Sequence, residues 1–284
     1  MSAKRVSRRH FLSSSAAAVA ACAIPGSLRT GERAATPIGI QLYTVRALMA
    51  RDVRGTLEAL REIGYAEVEL AGLHRLATSE WKSMLDDLGL RAPASHVGLA
   101  DLRARLSRVL EETQGIGAQW VVCPWIDAAD RTPEGYRRLA GEFNRVGEAA
   151  KDAGLGFAYH NHQFEFDDLG AGQRGYDILL AKCDPDLVAM ELDLYWITAA
   201  GRDPLRYLTA HPGRFPMVHV KDRSADGRMV NVGRGTMDFG AVIARAGKAG
   251  IRHWFVEHDE PPAPLQDARE SFAALRRLLP ERPE

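Results

Sequence analysis

From residue 38 onward, eight short apolar runs of strand length alternate with eight longer stretches whose apolar residues recur at helical spacing. The strand-like runs are Ile38–Tyr43, Glu67–Leu70, Ala92–Val97, Trp120–Cys123, Gly156–His160, Val188–Asp193, Met217–Val220 and His253–Glu257. The helical stretches are Arg51–Ile63, Ser79–Leu88, Leu99–Ile116, Pro133–Ala153, Tyr176–Cys183, Pro204–His211, Phe239–Ala249 and Leu265–Leu279. Val53, Leu57, Leu60 and Ile63 share one face of the first helix, and Gly64 closes it. Pro133 suits the first turn of the fourth. Alternation with short connections and no break in composition predicts one α/β domain, a closed parallel (β/α)₈ TIM barrel. An open doubly wound sheet requires a glycine-rich phosphate turn after its first strand, and Gln41–Arg46 contains no glycine.

The first 35 residues do not fit this pattern. Ser7–Leu12 reads Ser-Arg-Arg-His-Phe-Leu, followed by an uncharged Ala/Ser-rich run to Ile24 and the breaker Pro25-Gly26. Basic residues, a short apolar run and small residues make a signal peptide, and the Arg8-Arg9 pair before Phe11-Leu12 resembles a twin-arginine export signal. The expected division is therefore 1–35 leader and linker, 36–284 barrel. The preferred reading is cleavage near Ala34-Ala35, giving a soluble periplasmic or extracellular protein that has met the twin-arginine translocation machinery. Val19–Cys22 also resembles a lipobox, and membrane attachment enters only if Cys22 is acylated. Six of the 37 basic residues and one of the 37 acidic residues lie in this leader, so the remainder carries 36 acids against 31 bases. A net acidic body without a basic run argues against nucleic acid as a partner. Cys123 and Cys183 remain after the leader and read as two buried thiols.

In a parallel barrel the chemistry sits at the C-terminal ends of the strands. Those ends carry Glu69 (strand two), His96 (three), His160 and His162 (five), Asp193 (six), His219 and Lys221 (seven), and Glu257 with His258 (eight). Imidazoles and carboxylates on four consecutive strands converge on one cavity, so His160, Asp193, His219 and Glu257 are the candidate ligands of one divalent ion. A mixed nitrogen and oxygen set suits manganese, the first choice, or zinc, cobalt or iron, better than calcium or magnesium. Glu257, His162 and Lys221 are the candidate catalytic groups: Glu257 as general base, His162 as an acid–base or substrate group, Lys221 as a cation beside a developing oxyanion. Glu69 and His96 are expected to bind polar groups of a substrate from the opposite wall, and Trp125 and Trp196, with Tyr195, to stack on the apolar face of a ring. Glu165 is either a hydrogen-bond partner of a ligand histidine or a loop cap. Gly233 and Gly235 are expected to shape a turn beside the pocket.

Tyr159–Phe166 (YHNHQFEF), Glu191–Trp196 (ELDLYW), Val218–Asp222 (VHVKD), Val232–Asp238 (VGRGTMD) and Phe255–His258 (FVEH), in that order, resemble the motifs of the xylose isomerase-like sugar phosphate isomerase/epimerase superfamily. The resemblance spans residues 36–280 and implies a metal held by Glu, Asp, His and Glu at the ends of strands five to eight. Asp193, His219 and Glu257 match in type; His160 stands where the epimerases carry a glutamate. A two-glutamate proton exchange therefore does not transfer directly, and asymmetric chemistry is favoured: aldose–ketose isomerisation, dehydration of a keto-polyol, or elimination from a keto-glycoside.

The resulting expectation is a metal-dependent sugar isomerase or epimerase working through an enediolate-type intermediate on a small sugar or polyol, unphosphorylated because the chain is exported. The alternatives are a keto-sugar or keto-inositol dehydratase or lyase on the same site, and a non-catalytic periplasmic sugar-binding barrel. An apurinic-site endonuclease shares the barrel, but its three-zinc cluster needs more ligands than this chain offers. Oligomeric state is left open.

Overall fold

The computed structural model describes residues 35–280. The leader motif, Arg8, Arg9 and Cys22 lie outside the described residues. Eight parallel strands close a barrel: β1 Gly39–Gln41, β2 Glu67–Ala71, β3 Arg91–His96, β4 Trp120–Cys123, β5 Gly156–His160, β6 Val188–Asp193, β7 Met217–Val220 and β8 His253–Val256. Each pairs with its neighbour in sequence, and β1 closes the ring on β8 through Gly39 opposite Phe255. The helices cover the outside, where Leu57, Leu60, Trp81, Phe143 and Leu275 are fully or almost fully buried against outward-facing residues of the strands.

Side chains alternate along a strand, so one set fills the barrel itself. Its lower part is an apolar plug of Ala94, Val122, Ala158, Met217 and Phe255. The Phe255 ring occupies the space that a Cβ on Gly39 would enter, so a strand glycine makes room for an aromatic plug. Two residues further along the same strands, the same face carries His96, His160, His219 and Glu257. The alternation that builds the plug therefore also aims the polar groups inward above it.

The sequence reading differs from the structure in several places, beginning with the expected strand Ile38–Tyr43, which is Gly39–Gln41 followed by a 3₁₀ turn over Leu42–Val45 and a short helix Arg46–Met49. A helix, Leu194–Ala199, follows β6 directly and was not expected. Its N-cap is Asp193, whose Oδ1 accepts the Trp196 N–H at 2.7 Å, so the capping carboxylate is also the residue singled out as a ligand. A small antiparallel pair, Asp222–Arg223 with Met229–Val230, interrupts the connection after β7. The expected helix Phe239–Ala249 is two short ones, Phe239–Ile243 and Ala246–Ala249, as suits a segment containing Gly240 and Gly247. Cys123 and Cys183 are both buried free thiols. No helix among the described residues is long and apolar enough to cross a membrane.

Candidate active site

Above the plug, strand register sets four buried carboxylates among three histidines and one lysine. His160 is paired with Glu191, and Asp193 with His219, across adjacent strands. His219 stands at the centre: its Nδ1 is 2.6 Å from Glu257 Oε2, and its Nε2 is 2.6 Å from Glu69 Oε2 and 3.1 Å from Glu191 Oε2. Gln41 Nε2 donates to Glu69 Oε2 at 2.8 Å. His96 Nε2 lies 2.8 Å from Glu191 Oε2 and 3.3 Å from Glu69 Oε2. Lys221 Nζ, almost fully buried, reaches Glu257 at 2.7 Å, Asp193 at 3.0 Å and Asp259 at 2.7 Å.

The protonation states follow from these contacts. Burial disfavours the cation at His96, but Glu69 and Glu191 outweigh it and hold the ring up at about 9. His160 is pushed down to about 3 by burial and by the charge on His219. Burial and His160 bring His162 down to about 2. Asp193 is raised to about 6 by burial, against the opposing pull of Lys221. Burial opposes ionisation of Glu257, yet Lys221 and His219 hold it well below the usual carboxylate range.

His160, Asp193, His219 and Glu257 each offer a ligand atom within 4.8 Å of the others, as does the overlapping set His96, His160, Glu191 and His219. The first set fits a divalent first-row ion on two grounds. It combines two imidazoles with two carboxylates, and Asp193 Oδ2 is buried without a hydrogen-bond partner among the described residues, Lys221 being an ion-pair contact only.

The cavity at the C-terminal mouth measures about 770 Å³ and touches His96, His160, His162, Trp125, Trp196 and Glu257, with Tyr43 at its rim. Trp125 is 45% exposed there, edge-on to His162 with ring centroids 4.9 Å apart, and Arg131 lies 4.6 Å over its face. His162 Nδ1 and Trp196 Nε1 are buried without partners among the described residues. Asp193, His219 and Lys221 lie beneath the cavity lining.

Glu69 does not reach the cavity. Its carboxylate is fully buried one layer down, against Gln41 and His219, because β2 places Ala71 rather than Glu69 at the mouth. Glu165 is a cap: it accepts the Tyr159 hydroxyl at 2.6 Å and the His162 backbone N–H at 2.9 Å. Gly233 and Gly235 shape the turn expected of them, both donating backbone N–H groups to Asp222 Oδ2 at 2.9 Å. Three residues escaped the sequence reading: Gln41, Asp259 and above all Glu191. Glu191 lies two residues before Asp193 on one strand, the same spacing that links His160 to His162, and that period was the available signal.

The description Xylose isomerase-like TIM barrel matches residues 57–278. An inosose dehydratase from Lacticaseibacillus casei is 27% identical over 154 residues, covering 46% of this chain and 50% of that protein. The chain thus spans about half the length of the first curated relatives it matches. A sugar phosphate isomerase/epimerase structure from Parabacteroides distasonis superposes with a TM-score of 0.74 at 25% identity, over 87% of this chain and 96% of that one. The IolI protein, solved with a bound zinc atom, superposes with a TM-score of 0.69 at 14% identity, over 85% and 97%.

Proposed function

The chain belongs to the xylose isomerase-like TIM-barrel family, and from that premise we propose that it is a metal-dependent enzyme that removes a proton beside the carbonyl of a keto-sugar or keto-polyol. The reaction we assign is elimination of a β-hydroxyl, a dehydration. His160, Asp193, His219 and Glu257 would hold the ion, manganese, zinc, cobalt or iron. Such an ion polarises the substrate carbonyl and acidifies the neighbouring C–H bond.

One observation carries the reading: of the four carboxylates in the barrel cluster, Glu257 alone borders the cavity. Asp167, Asp259 and Glu260 also line the cavity, but from the loops beyond the strands. One carboxylate at the floor of the cavity favours proton transfer on one face of the substrate over the two-sided exchange of an epimerase. Glu257 takes the proton, the C–H electron pair becomes a C=C bond, and the carbonyl π pair moves onto its oxygen to give an enolate. The carbonyl then re-forms, the enolate C=C pair becomes the double bond between the α- and β-carbons, and the β C–O bond breaks with its electrons on oxygen. That oxygen takes the proton back from the Glu257 carboxylic acid and leaves as water. Lys221 supplies fixed positive charge beneath the reacting atoms, and His162 and Trp196 offer ring N–H or lone-pair contacts to substrate hydroxyls. The inosose dehydratase relatives support this outcome. Aldose–ketose isomerisation is the second reading: it needs the same base on the same face, and the Parabacteroides distasonis neighbour carries the isomerase/epimerase name.

The test is incubation of manganese-loaded protein in D₂O with 2-keto-myo-inositol, 3-keto-glucose and fructose, followed by mass spectrometry. A product lighter by one water supports dehydration. An isomer of unchanged skeleton carrying solvent deuterium favours isomerisation. Absence of deuterium exchange and of product with all three, while metal and sugar are bound, sinks the enzymatic reading in favour of a sugar-binding barrel.

We also infer export. Ser7–Leu12 supports a twin-arginine leader within residues 1–35, hence a periplasmic or extracellular place and passage through the twin-arginine machinery. Retention of an Arg8→Lys/Arg9→Lys variant in the cytoplasm would support it, and unchanged fractionation would overturn it.

A further inference from the structure

We infer that Glu191 is a positioning residue that fixes the tautomer of His160, so that this ring turns a bare nitrogen toward the ion. The inference rests on the metal site proposed above and adds to it a residue outside the ligand set.

Glu191 is fully buried on β6, between the strands that carry the two histidines. One of its oxygens, Oε2, lies 3.1 Å from His160 Nδ1, 3.1 Å from His219 Nε2 and 2.8 Å from His96 Nε2. An ionised carboxylate only accepts, so a ring nitrogen facing it at these distances carries the proton. A neutral imidazole has one N–H, and its other nitrogen is then a lone pair. For His160 that leaves Nε2, which faces Asp193 Oδ2 at 3.9 Å. His219 is different: its Nε2 faces Glu69 and Glu191 and its Nδ1 faces Glu257 at 2.6 Å, so both of its nitrogens meet carboxylates and Glu191 selects no tautomer there. The free nitrogen of His160 therefore points at the carboxylate with which it would share the ion.

His160 is the ring that depends on Glu191. His219 Nε2 has a second acceptor in Glu69 Oε2, at 2.6 Å, whereas among the described residues the one carboxylate beside His160 Nδ1 is Glu191. His160 stands where the resemblance leads one to expect a carboxylate. Here the carboxylate sits opposite His160 on the neighbouring strand and would act on the ion through the imidazole, an arrangement that raises the basicity of the ligand nitrogen.

The experiment is cobalt(II) titration of the wild type, Glu191→Gln and Glu69→Gln, read by calorimetry and by the visible absorption of the bound ion, with circular dichroism as a check on folding. The expected result is a 10–100-fold loss of affinity and an altered cobalt spectrum for Glu191→Gln, with a smaller loss for Glu69→Gln. Wild-type affinity and an unchanged spectrum in a folded Glu191→Gln protein would overturn the inference while leaving the metal site intact. Failure of the wild type to take up cobalt would overturn both. Imidazole ¹⁵N spectra of the metal-free wild type give a test independent of whether the variants fold. A protonated Nδ1 and a bare Nε2 on His160 are expected, and the opposite tautomer would sink the assignment.

Discussion

His219 on β7 and Glu69 on β2 are 150 residues apart in sequence, yet the ring Nε2 and the carboxylate Oε2 lie 2.6 Å apart across the inside of the barrel. Both residues are fully buried. The contact fixes one side of the His219 ring and ties together through the interior the second and seventh strands, which pair with their own neighbours and not with each other around the circumference. Glu69 is therefore a structural anchor of the site. Removing one partner of such a pair leaves the other unmatched in a low-dielectric interior, so Glu69→Ala is expected to cost about 3–5 kcal/mol in denaturant unfolding. A loss below about 1 kcal/mol would show that Glu191 takes over the contact.

Asp222, almost fully buried, accepts four backbone N–H groups: Arg223 at 2.8 Å, Gly233 and Gly235 at 2.9 Å, and Met237 at 3.2 Å. Both arms of the loop after β7 are thus tied to the residue that follows Lys221. Gly235 has no room for a side chain, since a Cβ would enter the Asp222 carboxylate. Asp222→Ala is expected to lose about 3 kcal/mol and to speed amide exchange at Gly233, Gly235 and Met237 while exchange in the strands stays slow. Uniform exchange changes across the barrel would contradict a local tie.

Much of the fold was legible because its signal is local and repeated. The apolar runs at Trp120–Cys123, Gly156–His160, Val188–Asp193 and Met217–Val220 coincide with strands at both ends. The helix Leu194–Ala199 was hidden because Asp193 reads as a strand end and as a functional charge, while in the structure it also caps a helix. Within the site, strand-end position found His160, Asp193, His219 and Glu257, which lie together. It misplaced Glu69 and passed over Glu191 for the same reason. Both are interior residues one layer below the mouth, and sequence gives the alternation of faces more readily than the depth at which each strand ends.

Trp125 is the large aromatic at the mouth least committed to the fold, at 45% exposed. Trp125→Ala is expected to change stability by under about 1 kcal/mol. Covering roughly 60 Å² of its face with the apolar side of a sugar ring is worth about 1.5 kcal/mol, so affinity should fall about tenfold. Titration with 2-keto-myo-inositol, read by calorimetry, tests this. Unchanged affinity would place the sugar away from Trp125.

Glu165 should give the barrel a pH-dependent stability that is separable from its chemistry. The carboxyl is fully buried, and burial raises it to about 8 despite the Tyr159 hydroxyl and the His162 N–H that favour its ionised form. The folded chain therefore keeps this proton between about pH 4.5 and 8, where the unfolded chain has released it. The folded state binds more protons in that window, so this contribution is fully present below the unfolded pKa and is lost as pH rises, by at most about 1.4 kcal/mol per pH unit. Glu165→Gln keeps an acceptor for His162 and cannot ionise. Its urea midpoint should fall less steeply than the wild type's between pH 5 and 8, with the two differing least at the acid end. Parallel pH profiles would mean that Glu165 is ionised in the folded protein and that its two hydrogen bonds outweigh burial.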